Sequence, residues 1–416
     1  MLYSYAGKVL KVDLCRNKIQ LEPLPLELAG QYLGGKGLGT YLLLEEIDPR
    51  VDPLSPDNAL IICTGPATGT AIPHKGYILV FKSPLTGIYA SSSSGGSFAD
   101  ELKYAGYDIL IVKGRSKTPV YLWIDDDRIE IRNAGHLWGK DTFETNELIK
   151  EELGDNEVSV LRIGPAGEKL VKIAGIFNDQ SRTAGRCGAG AVMGNKNLKA
   201  IAVRGTGHVE VADMEGLLGL MKELHNIISD KMLSYRKWGT PASISTVNEL
   251  GVFPTKYFRK QQFAGFEEID AETIREKLLV KSKACYSCSA HCGKLCEVLE
   301  GPYKGAVSEI DFETIWAFGA LCANSNIESI VKANELCDRL GIDTISAGNL
   351  IAFAMECYDR KLITKDETEG IELTWGNHVA LVEMVERIAL RKGLGPVEPG
   401  RQPLEDCFKF TKEHNA

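Results

Sequence analysis

The chain has 416 residues, too many for one ordinary core, so two or three domains are expected. Its net charge is −8 with no basic block, which excludes the clustered cations that nucleic acid binding needs. No apolar run approaches the roughly 20 residues needed to span a membrane, and the N-terminus lacks a basic stretch followed by an apolar one, so neither a span nor a signal peptide is expected.

In chain order, residues 1–25 read as a hairpin, with β-rich runs Val9–Leu14 and Lys18–Pro23 joined by a polar turn. The glycine-rich stretch Leu33–Gly39 precedes a helical Thr40–Ile47; it suits either a phosphate-approaching loop or tight packing. Strand-like runs follow at Ala59–Cys63, Tyr77–Phe81, Asp108–Val112, Val120–Ile124 and Ile129–Ile131. The long segment Lys82–Gly96 reads as a loop. Its serines and glycines, just before a helical Phe98–Tyr104, would suit an anion at the helix N-terminus rather than a flexible linker. Asp141-Thr142-Phe143-Glu144 has the form of a capping box opening a helix to about Leu153. Strands are expected at Val158–Ile163, Val171–Phe177 and Ala200–Arg204. The loop Asn178–Gly194 sits among them, with arginines and glycines that could hold phosphates.

A domain boundary is expected near 207–212. Beyond it the periodicity is helical over Met214–Asp230, Ala242–Leu250, Ala271–Val280, Phe312–Ala323, Ile327–Leu340, Ser346–Arg360 and Val379–Arg391. The fold class is therefore α+β: a β-rich domain over 1–210, then an all-α domain over 211–416. Four of the eleven cysteines fall within Ala284–Cys296, and Cys285, Cys288 and Cys292 have C-x2-C-x3-C spacing. That spacing suits three thiolates on one iron–sulfur cluster. Structural zinc is the alternative, though zinc ribbons more typically use C-x2-C pairs. Free thiols and such a cluster both suit a reducing cytoplasm. Cys63, Cys322, Cys337 and Cys357 lie in apolar runs and read as small core residues.

Several stretches together resemble one family. They are Leu33–Gly39, Lys82–Gly87, Ser92–Gly96, Ala105–Asp108, Arg182–Arg186, Ala191–Gly205, the cysteine stretch and Asp338–Ser346. They are similar to the aldehyde:ferredoxin oxidoreductases, enzymes with a tungsten (or molybdenum) bis-pyranopterin cofactor. The resemblance runs from about residue 3 to 393, and the chain is expected to lack the family's C-terminal part. It implies oxidation of an aldehyde to a carboxylic acid, with electrons leaving through a 4Fe-4S cluster to ferredoxin. It further implies a β-rich pterin-binding domain, Mg bridging the pterin phosphates, and a possible homodimer or partner subunit.

Residue by residue, Lys75 and Gly76 lie where the family often has an arginine for a pterin phosphate. Ser93 and Gly95 lie in one phosphate loop, and Arg182, Thr183, Ala184 and Gly185 in a second. Asp338 and Asp343 match the D-x-x-G-[LI]-D motif that hydrogen-bonds a pterin ring; alone they would read as a helix end and an N-cap. Glu313 matches an active-site glutamate able to shuttle a proton; alone it would read as a solvated helix residue. Cys285, Cys288 and Cys292 match cluster ligands. Cys296, four residues after Cys292, would face the same side of a helix and could supply the fourth thiolate, with Cys407 a weaker candidate. Other readings are a subunit of a related reductase acting on aromatic-ring thioesters, and a non-catalytic cluster or pterin carrier.

Overall fold

The computed structural model describes residues 3–74 and 76–392. The chain divides into two compact units. The first runs to Lys231 and includes Ala284–Ser289; the second comprises Met232–Lys283 and the residues from Ala290 onward.

The first unit contains, in order, β1 (Lys8–Asp13), β2 (Lys18–Pro23), α1 (Leu26–Tyr32), α2 (Gly35–Glu46), β3 (Leu60–Cys63), β4 (Tyr77–Lys82), β5 (Tyr89–Ser94), α3 (Phe98–Tyr104), β6 (Ile109–Lys113), β7 (Val120–Asp125), β8 (Arg128–Asn133), α4 (Thr142–Leu153), β9 (Ser159–Arg162), α5 (Pro165–Glu168), β10 (Ile176–Asn178), β11 (Arg182–Ala184), α6 (Ala189–Asn195), β12 (Leu198–Arg204) and α7 (Met214–Lys231). Two six-stranded sheets form, ordered β2-β1-β6-β3-β4-β5 and β11-β10-β9-β12-β7-β8. Pairs β1–β6 and β7–β12 are parallel; the others are antiparallel.

Side-chain alternation explains the layers. Leu60 and Ile62 of β3 join Leu122 and Ile124 of β7 in a core shared by the two sheets. Ile61 and Cys63 turn outward and pack beneath Leu38 and Leu43 of α2. Tyr121 and Trp123 turn outward from the second sheet onto Ile149 of α4. These strands are covered on both faces, which is why they read as unbroken apolar runs.

Three local expectations change. From Gly35 onward the glycine stretch lies inside α2, with Gly34 as its N-cap, rather than before the helix. A Cβ on Gly39 would stand 2.7 Å from Val80 Cγ2 and 3.1 Å from Cys63 Sγ, so glycine here permits close helix–sheet packing. The serine run is the edge strand β5, paired with β4 from Tyr77↔Ser94 to Lys82↔Tyr89. Of Val171–Phe177, only its end enters the sheet, as β10. The capping box of α4 forms as expected: Glu144 N donates to Asp141 Oδ1 (2.8 Å) and Asp141 N to Glu144 Oε2 (2.9 Å).

The second unit contains α8 (Leu233–Trp238), α9 (Ile244–Glu249), α10 (Ala271–Lys277), β13 (Leu278–Lys283), β14 (Gly293–Val298), β15 (Val307–Glu309), α11 (Phe312–Phe318), α12 (Ile327–Leu340), α13 (Thr344–Asp359) and α14 (His378–Leu390). It is mainly helical, with α12 packed on α14 and α11 on α13. It also holds the antiparallel sheet β13-β14-β15, which the periodicity did not show. The expected helix Ala271–Val280 stops at Lys277, because Leu278–Lys283 pairs residue by residue with β14.

Candidate cluster loop and cofactor-binding residues

The cysteine stretch closes the hairpin between β13 and β14, whose last pair is Lys283↔Gly293. Cys288 N donates to Cys285 O at 3.2 Å, folding the C-x2-C segment into a turn. The backbone passes through the left-handed region at Ser287 (φ 51°) and His291 (φ 47°). Cys285, Cys288 and Cys292 are all half-buried. A Cβ on Gly95 would lie 2.9 Å from Cys285 Sγ, so only glycine leaves that thiol its room. Among the described residues, no group of three or more His, Cys, Asp or Glu side chains is arranged so as to hold a metal ion. The donor set nevertheless suits three of the four thiolate positions of a cubane cluster: accessible soft thiols at cluster spacing, with a glycine where a side chain would crowd one of them.

Lys294 was not singled out in the sequence. It is buried at the root of this loop and donates to His291 O (2.7 Å) and Arg236 O (3.1 Å). Burial lowers its pKa, partly opposed by the nearby Cys292 sulfur. Its signal was weak because a lone lysine in a polar stretch reads as solvated.

Cys296 differs from the other three. The helical register that would bring it round beside Cys292 is overturned by β14. Alternation in that strand turns Lys294, Cys296 and Val298 inward, and Cys296 is fully buried opposite Val280 and Ser308. Burial, then the Glu309 charge, pushes its thiol up to about 12.

The helix N-terminus at α3 carries an anion from the chain itself. Asp179 Oδ2 accepts from Ser97 N (3.0 Å) and its Oδ1 from Ser97 Oγ (2.8 Å). That carboxylate occupies the helix N-terminus itself, while Ser93 and Gly95 lie ahead of it in the chain. Gly76 has φ 84°, and a Cβ would stand 2.3 Å from Ser94 O, so it brings the entry of β4 against the end of β5. Ser93 is half-buried in β5 and pairs with Ile78. Arg182, Thr183 and Ala184 form β11 rather than a loop, pairing with β10, and Gly185 follows directly. Lys75 and Cys407 lie outside the described residues.

In the second unit, Asp338 is buried in α12 and accepts from Ser308 Oγ (2.8 Å) and Asn334 Nδ2 (3.0 Å). Asp343 is the N-cap of α13, accepting from Ser346 N at 2.9 Å. Gly341 between them has φ 85° and ends α12, which explains the glycine of the motif. Glu313 lies in the first turn of α11 and is exposed as a residue. Partial burial of its carboxyl, then repulsion from Asp311, raises its pKa.

Residues 9–205 match the N-terminal domain of aldehyde ferredoxin oxidoreductase, and residues 220–397 match domains 2 and 3 of the same protein. The chain belongs to the aldehyde ferredoxin oxidoreductase family. It is 43% identical over 399 residues to the tungsten-containing aldehyde ferredoxin oxidoreductase of Thermococcus kodakarensis, covering 95% of this chain and 66% of that protein. It is 41% identical over 419 residues to the like-named protein of Pyrococcus abyssi, covering 99% and 68%. Among solved structures it is similar to the active site complex BamBC of benzoyl coenzyme A reductase in complex with 1,5-dienoyl-CoA. That likeness has a TM-score of 0.83 and 31% identity, covering 94% of this chain and 61% of the other. The chain thus spans about two thirds of the length of the curated relatives it matches.

Proposed function

We propose that the chain carries out aldehyde oxidation at a tungsten- or molybdenum-pterin centre and passes the electrons through a 4Fe-4S cluster to ferredoxin. The observation that carries this reading is the loop with three half-exposed thiols at cluster spacing, in a chain 43% identical to a tungsten-containing relative. Cys285, Cys288 and Cys292 are proposed as three of the four cluster ligands. Cys296 serves the core, since its strand turns the thiol inward.

The metal-pterin group, when bound, supplies the two-electron chemistry. The rest falls to the chain's own residues. Gly76, Ser93 and Gly95, with Arg182, Thr183, Ala184 and Gly185, are proposed to meet the pterin phosphates and their Mg, and Lys75 to add a point charge. Asp338 and Asp343 are proposed to accept hydrogen bonds from donor-rich pterin rings. Oxidation of an aldehyde by water yields a carboxylic acid, two protons and two electrons. Glu313, whose carboxyl pKa is raised by partial burial and by Asp311, is proposed to take up one of those protons. A reducing cytoplasm suits both thiols and cluster. No helix among the described residues is long and apolar enough to cross a membrane.

The likeness to the BamBC complex favours one second reading, a subunit that reduces an aromatic-ring thioester. The test uses anaerobically purified chain with oxidised ferredoxin or a viologen dye. Aldehyde-dependent reduction of the acceptor is expected. Reduction by a cyclic dienoyl thioester instead of any aldehyde would favour the second reading and contradict the first.

A further inference from the structure

One connected network of buried polar side chains runs through the second unit, and most of its members have no role in the reading above. Ser308, Thr314, Asn334 and Asp338 are each no more than 5% exposed. Asn334 is the junction. Its Nδ2 donates to Asp338 Oδ2 at 3.0 Å and also to Ser308 Oγ, which itself donates to Asp338 Oδ2 at 2.8 Å. Its Oδ1 accepts from Thr314 Oγ1 at 3.0 Å. Thr314 Oγ1 also lies 3.0 Å from Thr344 Oγ1, beside Asp343. Thr314 follows Glu313 directly, and its backbone N donates to Asp311 Oδ1 at 2.9 Å.

The chemistry at position 334 is restrictive. The side chain must donate towards Asp338 and accept from Thr314, which the neutral amide does at once in this orientation. Flipping it would press Oδ1 against the Asp338 carboxylate. Asn334 and Asp338 are four residues apart on α12 and share one face. The network therefore ties together β15, the first turn of α11, α12 and the start of α13. Apolar side chains would fill the same space without the cost of burying polar groups. A fully connected network earns its place by fixing geometry.

We propose that Asn334 is a positioning residue: with Ser308 and Thr314 it fixes the plane of the Asp338 carboxylate and locks it to the turn of α11 that carries Glu313. The acid assigned to the pterin ring and the acid assigned to the proton thereby keep one relative geometry. This rests on the reading of Asp338 as a cofactor contact, given above.

The test measures pterin per chain, by fluorescence of its oxidised derivative, with tungsten, molybdenum and the thermal midpoint, in full chain expressed with tungstate. Asp338→Asn, Asn334→Asp, Thr314→Val and Thr314→Ser are compared with the unaltered chain. Asn334→Asp replaces a donor by an acceptor. Thr314→Val keeps shape and loses the hydroxyl; Thr314→Ser does the reverse. Asp338→Asn, Asn334→Asp and Thr314→Val are expected to lose pterin at least about fivefold, the lower end of what an unpaired buried polar group costs. Thr314→Ser is expected to keep most of it. The proposal is overturned if Asp338→Asn loses pterin while Asn334→Asp and Thr314→Val, still folded, retain it. It is equally overturned if Thr314→Ser loses as much as Thr314→Val, which would mark packing rather than hydrogen bonding. Should Asn334→Asp fail to fold, the two Thr314 variants decide. Full pterin in Asp338→Asn would instead sink the underlying reading of Asp338, and the proposal with it.

Discussion

Cys296 shows how much one residue's meaning depends on its backbone. On a helix it would sit one turn from Cys292 and serve as a ligand; on β14 it faces the core, its thiol raised by burial to about 12. A thiol that costly to ionise is a poor ligand unless the strand first opens. Replacing Cys296 with alanine is therefore expected to leave the iron content of anaerobically purified chain unchanged. Its effect on stability should be about 1 kcal/mol, as for deletion of a single buried methyl-sized group. Loss or conversion of the cluster in that variant would restore Cys296 as a ligand. The spacing of Cys285, Cys288 and Cys292 was legible in the sequence because ligand spacing is a local property. The orientation of Cys296 was not, because it is set by pairing with Val280 and Ser308, sixteen and twelve residues away.

The same contrast holds between elements. The capping box of α4 and the apolar runs of β3, β4, β6 and β7 announce themselves, since their signals lie within a few residues. Strand β5 did not: its serines are poor strand formers, and β4 alone recruits them into the sheet edge. Lys196 is another tertiary feature hidden in a polar run. It follows α6 and is fully buried, and its Nζ donates to Asn58 O (2.5 Å), Pro56 O (3.3 Å) and Gly114 O (3.3 Å). It thus ties the end of α6 to the segments before β3 and after β6. Burial depresses its amine to about 7. The unfolded chain keeps that proton up to the ordinary lysine range, near 10.4. Between those two values unfolding takes up a proton, so raising the pH favours the folded state. Denaturant midpoints of the unaltered chain should rise relative to those of Lys196→Met from pH 7 to pH 10, and parallel curves would contradict the assignment.

For the whole molecule, the α+β organisation followed from the change of hydrophobic period along the chain, and family membership from motifs spread over most of it. The small sheet β13-β14-β15 is hidden in the sequence because the apolar start of β13 continues the helical period of α10 and the cysteine loop separates β13 from its partner β14. Yet β13 and β14 carry the two ends of the cysteine loop, so the least legible element bears on the central claim. The direct measurement is metal content per chain after anaerobic purification, with tungsten, molybdenum, iron and zinc determined together. About four iron atoms per chain, as a cubane cluster requires, together with tungsten or molybdenum, is the predicted result. Loss of that iron in Cys288→Ser should accompany it. Stoichiometric zinc, with neither iron nor tungsten nor molybdenum, would contradict the account.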